Sequence, residues 1–373
     1  MNKTRIYQII ALAIPFAFFV LLESGLRFFD YGREIPLFMD YPSNSKSAGP
    51  QYLLPSPDVV KRYFPEGSAA PSVTIETNFF LKHKPDDALR IVVQGGSTAA
   101  GFPFGYGASI AGMLDYRLKQ SFPDRTVEVI NTALAAVNSY TVLDFVDEII
   151  EQKPDAVLIY AGHNEYLGIL GVGSAYTAAN SPAATLLYLK LKESRIFQLL
   201  QNTYWLFTQE NVPKNAERSR TFMSKVAKHK NIPFGSELYE AGLAQFENNI
   251  SRVIAKYQAA NIPVFISTIA SNLSDQAPFS SSALPVDDQS HEYNADFYYQ
   301  QGKELIAQEN YQKAKQSFIK ARDYDLLRFR APSAMNDIIV ELSKKESVYF
   351  VDANKALTIA AEQGVIGNSL MLE

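Results

Sequence analysis

The sequence predicts an α/β protein whose parallel sheet is covered on both faces. Two observations carry this. Short apolar, β-branched runs recur at 89–94, 127–131 and 156–160, each separated from the next by a stretch of helical spacing. The first and third runs close on glycine turns, Gly95-Gly96 and Ala161-Gly162, as strands do before a tight connection.

Residues 1–33 come first. Ile6 to Leu22 is almost free of charge, and extension to Phe29 takes in Glu23 and Arg27 at the far end. That length is the short end of what crosses a bilayer. Lys3 and Arg5 precede the run, so the positive-inside tendency keeps the N-terminus in the cytoplasm and exports the rest. A cleaved signal peptide and a buried N-terminal helix of a soluble protein are the competing readings, the latter disfavoured by poor amphipathic periodicity. No small-x-small site follows the run, which favours an uncleaved transmembrane anchor over residues 6–29. Residues 34–87, rich in Pro, Ser, Tyr and Asn without a sustained period, read as a linker and extended approach.

The α/β body is expected over 88–373. After strand 89–94, helical spacing runs over 109–122, strand 127–131 follows, then a helix over 140–152 and strand 156–160. A mostly helical lid insertion at 171–235 interrupts the alternation. Its segment 214–230 is basic, either a solvated helix face or a lid against anionic headgroups or an anionic substrate. Helix 236–260 and strand 263–269 resume the pattern, and helices at 333–344 and 354–363 flank strand 348–351. Between them, 295–323 has the spacing of one tetratricopeptide unit, with Gly302, Tyr311, Ala314, Phe318 and Ala321 in its small and aromatic slots. A lone unit lacks the neighbours that form a peptide groove. It reads as a structural hairpin docked on the main domain, with a protein-binding surface as the alternative.

Composition removes several classes. Of 373 residues, 47% are hydrophobic and 20% charged, enough for a large core and against wholesale disorder. A net charge of −4 argues against a nucleic-acid binder driven by overall positive charge. With no cysteine, disulfide scaffolds, thiolate metal sites and cysteine nucleophiles drop out. Four histidines (His83, His163, His229, His291) make a histidine-rich metal centre unexpected, and no metal or cofactor is predicted.

Three segments fall at predicted strand ends, the rim where open α/β sheets bind ligands. They are Gly95-Gly96-Ser97-Thr98, Asn131-Thr132-Ala133-Leu134-Ala135-Ala136 and Gly162-His163-Asn164-Glu165. Together, at consecutive strand ends, they resemble the first three blocks of the SGNH (GDSL-like) hydrolases, firmly over about 88–170 and loosely beyond. The membrane-anchored, repeat-containing bacterial branch is the nearest likeness. The resemblance implies a three-layer, flavodoxin-like sheet and a serine esterase. It implies Ser97 as nucleophile, and an oxyanion hole from the N–H of Ser97, the N–H of Ala136 and the carboxamide of Asn164. Gly96 stands where the family has Asp, Ala136 where it has Gly, and Glu165 where Asp follows the asparagine.

The residue types suit that chemistry. A serine at the head of a helix lies near its partial positive charge, and three donors converging on one oxygen stabilise a tetrahedral intermediate. A histidine steered by a carboxylate should take the Ser97 proton. The family's Asp-x-x-His block is missing. The chain ends where it would begin, so a cut sequence is expected, with Glu373 in the acidic slot. Asp288-Gln289-Ser290-His291 has the right spacing in a different place. His163 is expected to shape the pocket and not to act as base. The function expected is hydrolysis or transfer of an acyl group from an ester, with acylated envelope glycan or lipid as the candidate substrates, by a single-pass protein of the bacterial inner membrane facing the periplasm. A catalytically silent scaffold that binds protein through the hairpin is the alternative.

Overall fold

The computed structural model describes residues 3–41, 50–66, 70, 73–174, 181–208, 231–282 and 293–371; the side chains of 3–6, 9, 10, 12 and 208 are outside that description. Helix α1 (Lys3–Phe28), with Pro15 inside it, covers the expected anchor. Among the described residues, no helix is long and apolar enough to cross a membrane.

Where the sequence suggests a linker, the chain forms a small antiparallel sheet of β1 (Phe38–Asp40), β2 (Tyr52–Pro55) and β3 (Phe80–Leu81). This sheet is packed on the body. Leu37 and Val59 are fully buried, and Tyr63 and Phe80 nearly so. Arg62 donates to Asp144 at 3.0 Å and to Glu148 at 2.7 Å. Buried Arg90 reaches back to the Leu81 carbonyl at 2.6 Å and to Glu128 at 2.8 Å. Strands of two to four residues are too short to show an alternation in sequence.

The main sheet holds β4 (Leu89–Gly95), β5 (Val127–Asn131), β6 (Ala156–Tyr160), β7 (Val264–Ser267) and β8 (Val348–Val351). All neighbours are parallel, in the order β5-β4-β6-β7-β8. The chain therefore steps out from β4 to one side and then crosses to the other, which makes the β4/β6 boundary the switch point where ligands bind in such sheets. Alternate side chains go to opposite faces. Val92, Ile130, Val157 and Ile266 join one core; Val93, Val127 and Val129 join another with Ala111.

Helices α2 (Ser97–Ala100), α3 (Ile110–Ser121), α4 (Ser139–Asp144), α5 (Val146–Glu151), α6 (Pro182–Leu191) and α7 (Arg195–Thr208) follow in the first half. Next come α8 (Glu237–Ala259), α9 (Ala295–Ala307), α10 (Tyr311–Tyr324), α11 (Ser333–Leu342) and α12 (Ala353–Ala360). Helix α3 starts at Ser109, whose Oγ accepts from Gly112 N–H, and its stripe closes the smaller core. On the larger face α8 supplies Phe246, Ile250, Val253, Ile254 and Tyr257, all buried. Fully burying one such aliphatic chain contributes about 1.5–3 kcal/mol. Cover thins toward β8, where Tyr349 is 52% exposed.

The single helix expected over 140–152 is broken at Phe145, beside Asp144, whose buried carboxylate gathers Arg62, Tyr63 and Lys192. Helices α9 and α10 pack on each other within 295–324. A Cβ on Gly302 would lie 2.6 Å from the Phe318 ring, so the two helices cross where the aromatic fills the space glycine leaves. Leu273, Ala314, Phe318 and Val365 share one buried cluster, which docks the hairpin on the body.

Candidate active site

The first loop leaves β4 at Gly95. A side chain there would strike the Tyr160 carbonyl oxygen at 2.1 Å, so β4 and β6 close up at the switch point because residue 95 has none. Ser97 opens α2 and is partly exposed. That helix is a single turn, ended by Gly101 in the left-handed region at φ 85°. The longer helix, α3, begins only after the turns at 101–108. The helix charge expected at Ser97 is thus that of four residues, much weaker than a full helix supplies.

The second loop is shaped by its own polar residues. Asn131 Oδ1 accepts from Ala133 N–H at 3.1 Å, and Thr132 donates to the Val93 carbonyl at 3.0 Å. Ala136 lies at φ 62°, and Asn164 of the third loop at φ 63°. An alanine in that region is strained, and such strain collects at functional loops. The three loops are bonded to one another. Leu134 N–H donates to the Gly95 carbonyl at 3.1 Å, and Ile169 N–H to the Ala136 carbonyl at 3.0 Å. A Cβ on Gly96 would lie 4.0 Å from the His163 carbonyl oxygen.

Among the described residues, neither the N–H of Ser97 nor that of Ala136 has an acceptor, and the Ser97 hydroxyl and Asn164 carboxamide have no hydrogen-bond partner. Asn164 is 7% exposed, and its main chain is tied down, N–H to Phe329 and carbonyl to Gly168. Its carboxamide still reaches the surface, where a ligand can meet it. The amides of Asn131, Asn138, Asn249 and Asn272 are paired within the fold.

Beneath this rim lie two groups. His163 Nδ1 accepts from Ala331 N–H at 3.0 Å, which leaves Nε2 to donate to the Ala270 carbonyl at 3.0 Å. Burial pushes its imidazole down to about 4, so it is neutral with both nitrogens occupied. Fully buried Glu165 accepts from Ser139 N–H at 2.9 Å, from Ser139 Oγ at 2.6 Å, and from Gln245. Asn249 donates to the same Ser139 hydroxyl at 2.9 Å. Burial pushes the Glu165 carboxyl up to about 7, against the pull of these hydrogen bonds. Sequence reasoning missed this network. Its one signal is a polar pair four residues apart, Gln245 and Asn249, on the otherwise apolar stripe of α8.

The pairs expected to hold a base, Asp288 with His291 and the carboxylate Glu373, lie outside the described residues, as does the basic segment 214–230. Among the described residues no group of acidic and histidine side chains is placed to hold a metal.

No family model matches the chain, and no curated protein matches it. Solved structures do. A lipase/acylhydrolase from Enterococcus faecalis is 13% identical, with 75% of this chain and 88% of that one covered and a TM-score of 0.33. The psychrotrophic esterase EstA from Pseudoalteromonas sp. is 12% identical, with 77% and 87% covered and a TM-score of 0.32. TesA is 15% identical at a TM-score of 0.27, and the chain spans 62% of its length.

Proposed function

We propose that the chain is a membrane-anchored serine esterase of the SGNH type, acting on acyl esters through Ser97. The observation that carries this reading is the set of donors on three adjoining loops, Ser97 N–H, Ala136 N–H and the Asn164 carboxamide, left without acceptors among the described residues. An ester carbonyl oxygen turning into an alkoxide is the acceptor such a trio suits. In this reading Ser97 Oγ bonds to the ester carbon and gives its proton to a base. The alkoxide collapses, the bond to the alcohol breaks, and the alcohol takes that proton. Water then repeats the sequence on the acyl-serine and frees the acid. His163 is not the base, since both its nitrogens are occupied. Asp288 and His291 are the pair to test first.

The anchor belongs to the same proposal. Its support is the apolar run at 6–22 behind Lys3 and Arg5, and the exposure of Phe16, Phe18, Phe19 and Leu21 on α1. Export to the periplasmic side of a bacterial inner membrane would make acylated envelope glycans or lipids the substrates.

Hydrolysis of p-nitrophenyl acetate and longer acyl esters by the full chain is expected to fall to background in Ser97→Ala. In Asn164→Ala, kcat should fall about 10²–10³-fold. Equal rates for the wild type and Ser97→Ala would remove Ser97 from the reaction and this reading with it.

A further inference from the structure

We infer that helix α7 lies in the interfacial layer of the bilayer that α1 enters, its apolar side turned to lipid. This rests on the anchor reading and adds a second lipid contact to it.

One side of the helix is apolar and exposed: Leu200 is 63% exposed, Tyr204 and Leu206 71%, and Phe207 86%. On the other side Phe197 packs on the Tyr188 ring, and the amides of Gln198 and Asn202 turn to the protein. Gln198 bonds with the main chain of Arg33 in both directions, at 2.8 Å and 2.9 Å, and with the Lys192 carbonyl at 2.8 Å. Asn202 accepts from Glu66 N–H and donates to the Tyr31 hydroxyl, both at 3.2 Å. A helix on a water-facing surface turns its apolar stripe inward. An apolar side left outward, over amides bonded inward, fits a non-aqueous medium outside. Fourteen residues, about 21 Å at 1.5 Å each, are too few to cross a bilayer, so the helix would lie along it.

Its place in the chain's framework names the medium. Glu23, the first residue after the apolar run of α1, caps α7. Its carboxylate accepts from Ser194 Oγ at 3.0 Å, Arg195 N–H at 3.0 Å and Ile196 N–H at 2.9 Å. Arg27 adds a bond to the Glu193 carbonyl at 3.1 Å. The start of α7 is thereby fixed at the level where α1 would leave the hydrocarbon. Phe28 and Phe29, and Leu187 of α6, are exposed apolar side chains as well, and exposed Lys190 supplies charge for anionic headgroups.

The chain has no cysteine, so single probes are clean. Leu200→Cys, Tyr204→Cys and Phe207→Cys would each carry an NBD label on the full chain, reconstituted in phosphatidylcholine vesicles containing phosphatidylglycerol. Lys119→Cys on α3 is the water control, Phe18→Cys the anchor control, and circular dichroism checks folding. The expected result is a several-fold rise and blue shift of emission at all three α7 positions, quenched by lipid-borne nitroxides and absent at 119. Water-like emission on α7 with a lipid-like signal at 18 overturns the inference and leaves the anchor standing. Water-like emission at all four positions overturns both. A lipid-like signal that is lost when the protein is diluted in lipid means that a second copy covers the face, and also overturns the inference.

Discussion

Ala136 holds a backbone conformation that glycine would hold without strain. Replacing it with glycine leaves the N–H where it is and removes the methyl. Ala136→Gly is expected to raise unfolding stability by about 0.5–1 kcal/mol, after allowing for the looser unfolded chain. The check is denaturant unfolding, with esterase activity retained; an unchanged or lower midpoint would mean that the left-handed alanine carries no strain. This position also shows how far sequence reaches. The three loop segments and their strand ends were legible, because turn glycines follow recognisable apolar runs. The left-handed φ of Ala136 was not, since alanine does not announce that conformation; Asn164 is of the type that tolerates it, but asparagine is common in ordinary turns as well.

At the scale of elements, the hairpin offers a sharp test. A methyl at 302 meets the Phe318 ring well inside contact distance. Gly302→Ala is expected to push α9 from α10 and cost about 1–3 kcal/mol, the range for overpacking. Phe318→Leu in the same chain should recover part of the loss. Thermal unfolding of both variants decides it, and a Gly302→Ala protein as stable as the parent would refute the crossing geometry. Strands 127–131 and 156–160 agree with their sequence-based limits, since buried parallel strands are mostly apolar runs between breakers; 348–351 agrees too, as an exposed edge strand. Three features escaped for physical reasons. The β1–β3 sheet is too short for a period. The break at Phe145 sits beside Asp144, whose partners lie far away in sequence. The turn after Ser97 is set by glycines that a helical pattern tolerates.

For the whole molecule, Glu165 and His163 make opposite contributions to stability against pH. Folded, Glu165 keeps its proton to about 7, whereas the unfolded chain releases it near 4.5, so its contribution falls as pH rises between those values. His163 stays neutral to about 4, whereas unfolded it charges near 6.5, so its contribution falls as pH drops through that window. The two slopes offset each other from about 4.5 to 6.5, at roughly 1.4 kcal/mol per pH unit each. Glu165→Gln is expected to expose the histidine slope, with stability rising with pH across that window more steeply than in the wild type. Urea unfolding at either end measures it; parallel profiles would refute the assignment. The two hydrogen bonds that hold His163 have a further consequence for chemical labelling. A reagent such as diethyl pyrocarbonate, which acylates free imidazole nitrogens, should pass over His163 in the native protein. Any inactivation it causes, if reversed by hydroxylamine and prevented by substrate, would then point to another histidine of the chain as the proton carrier.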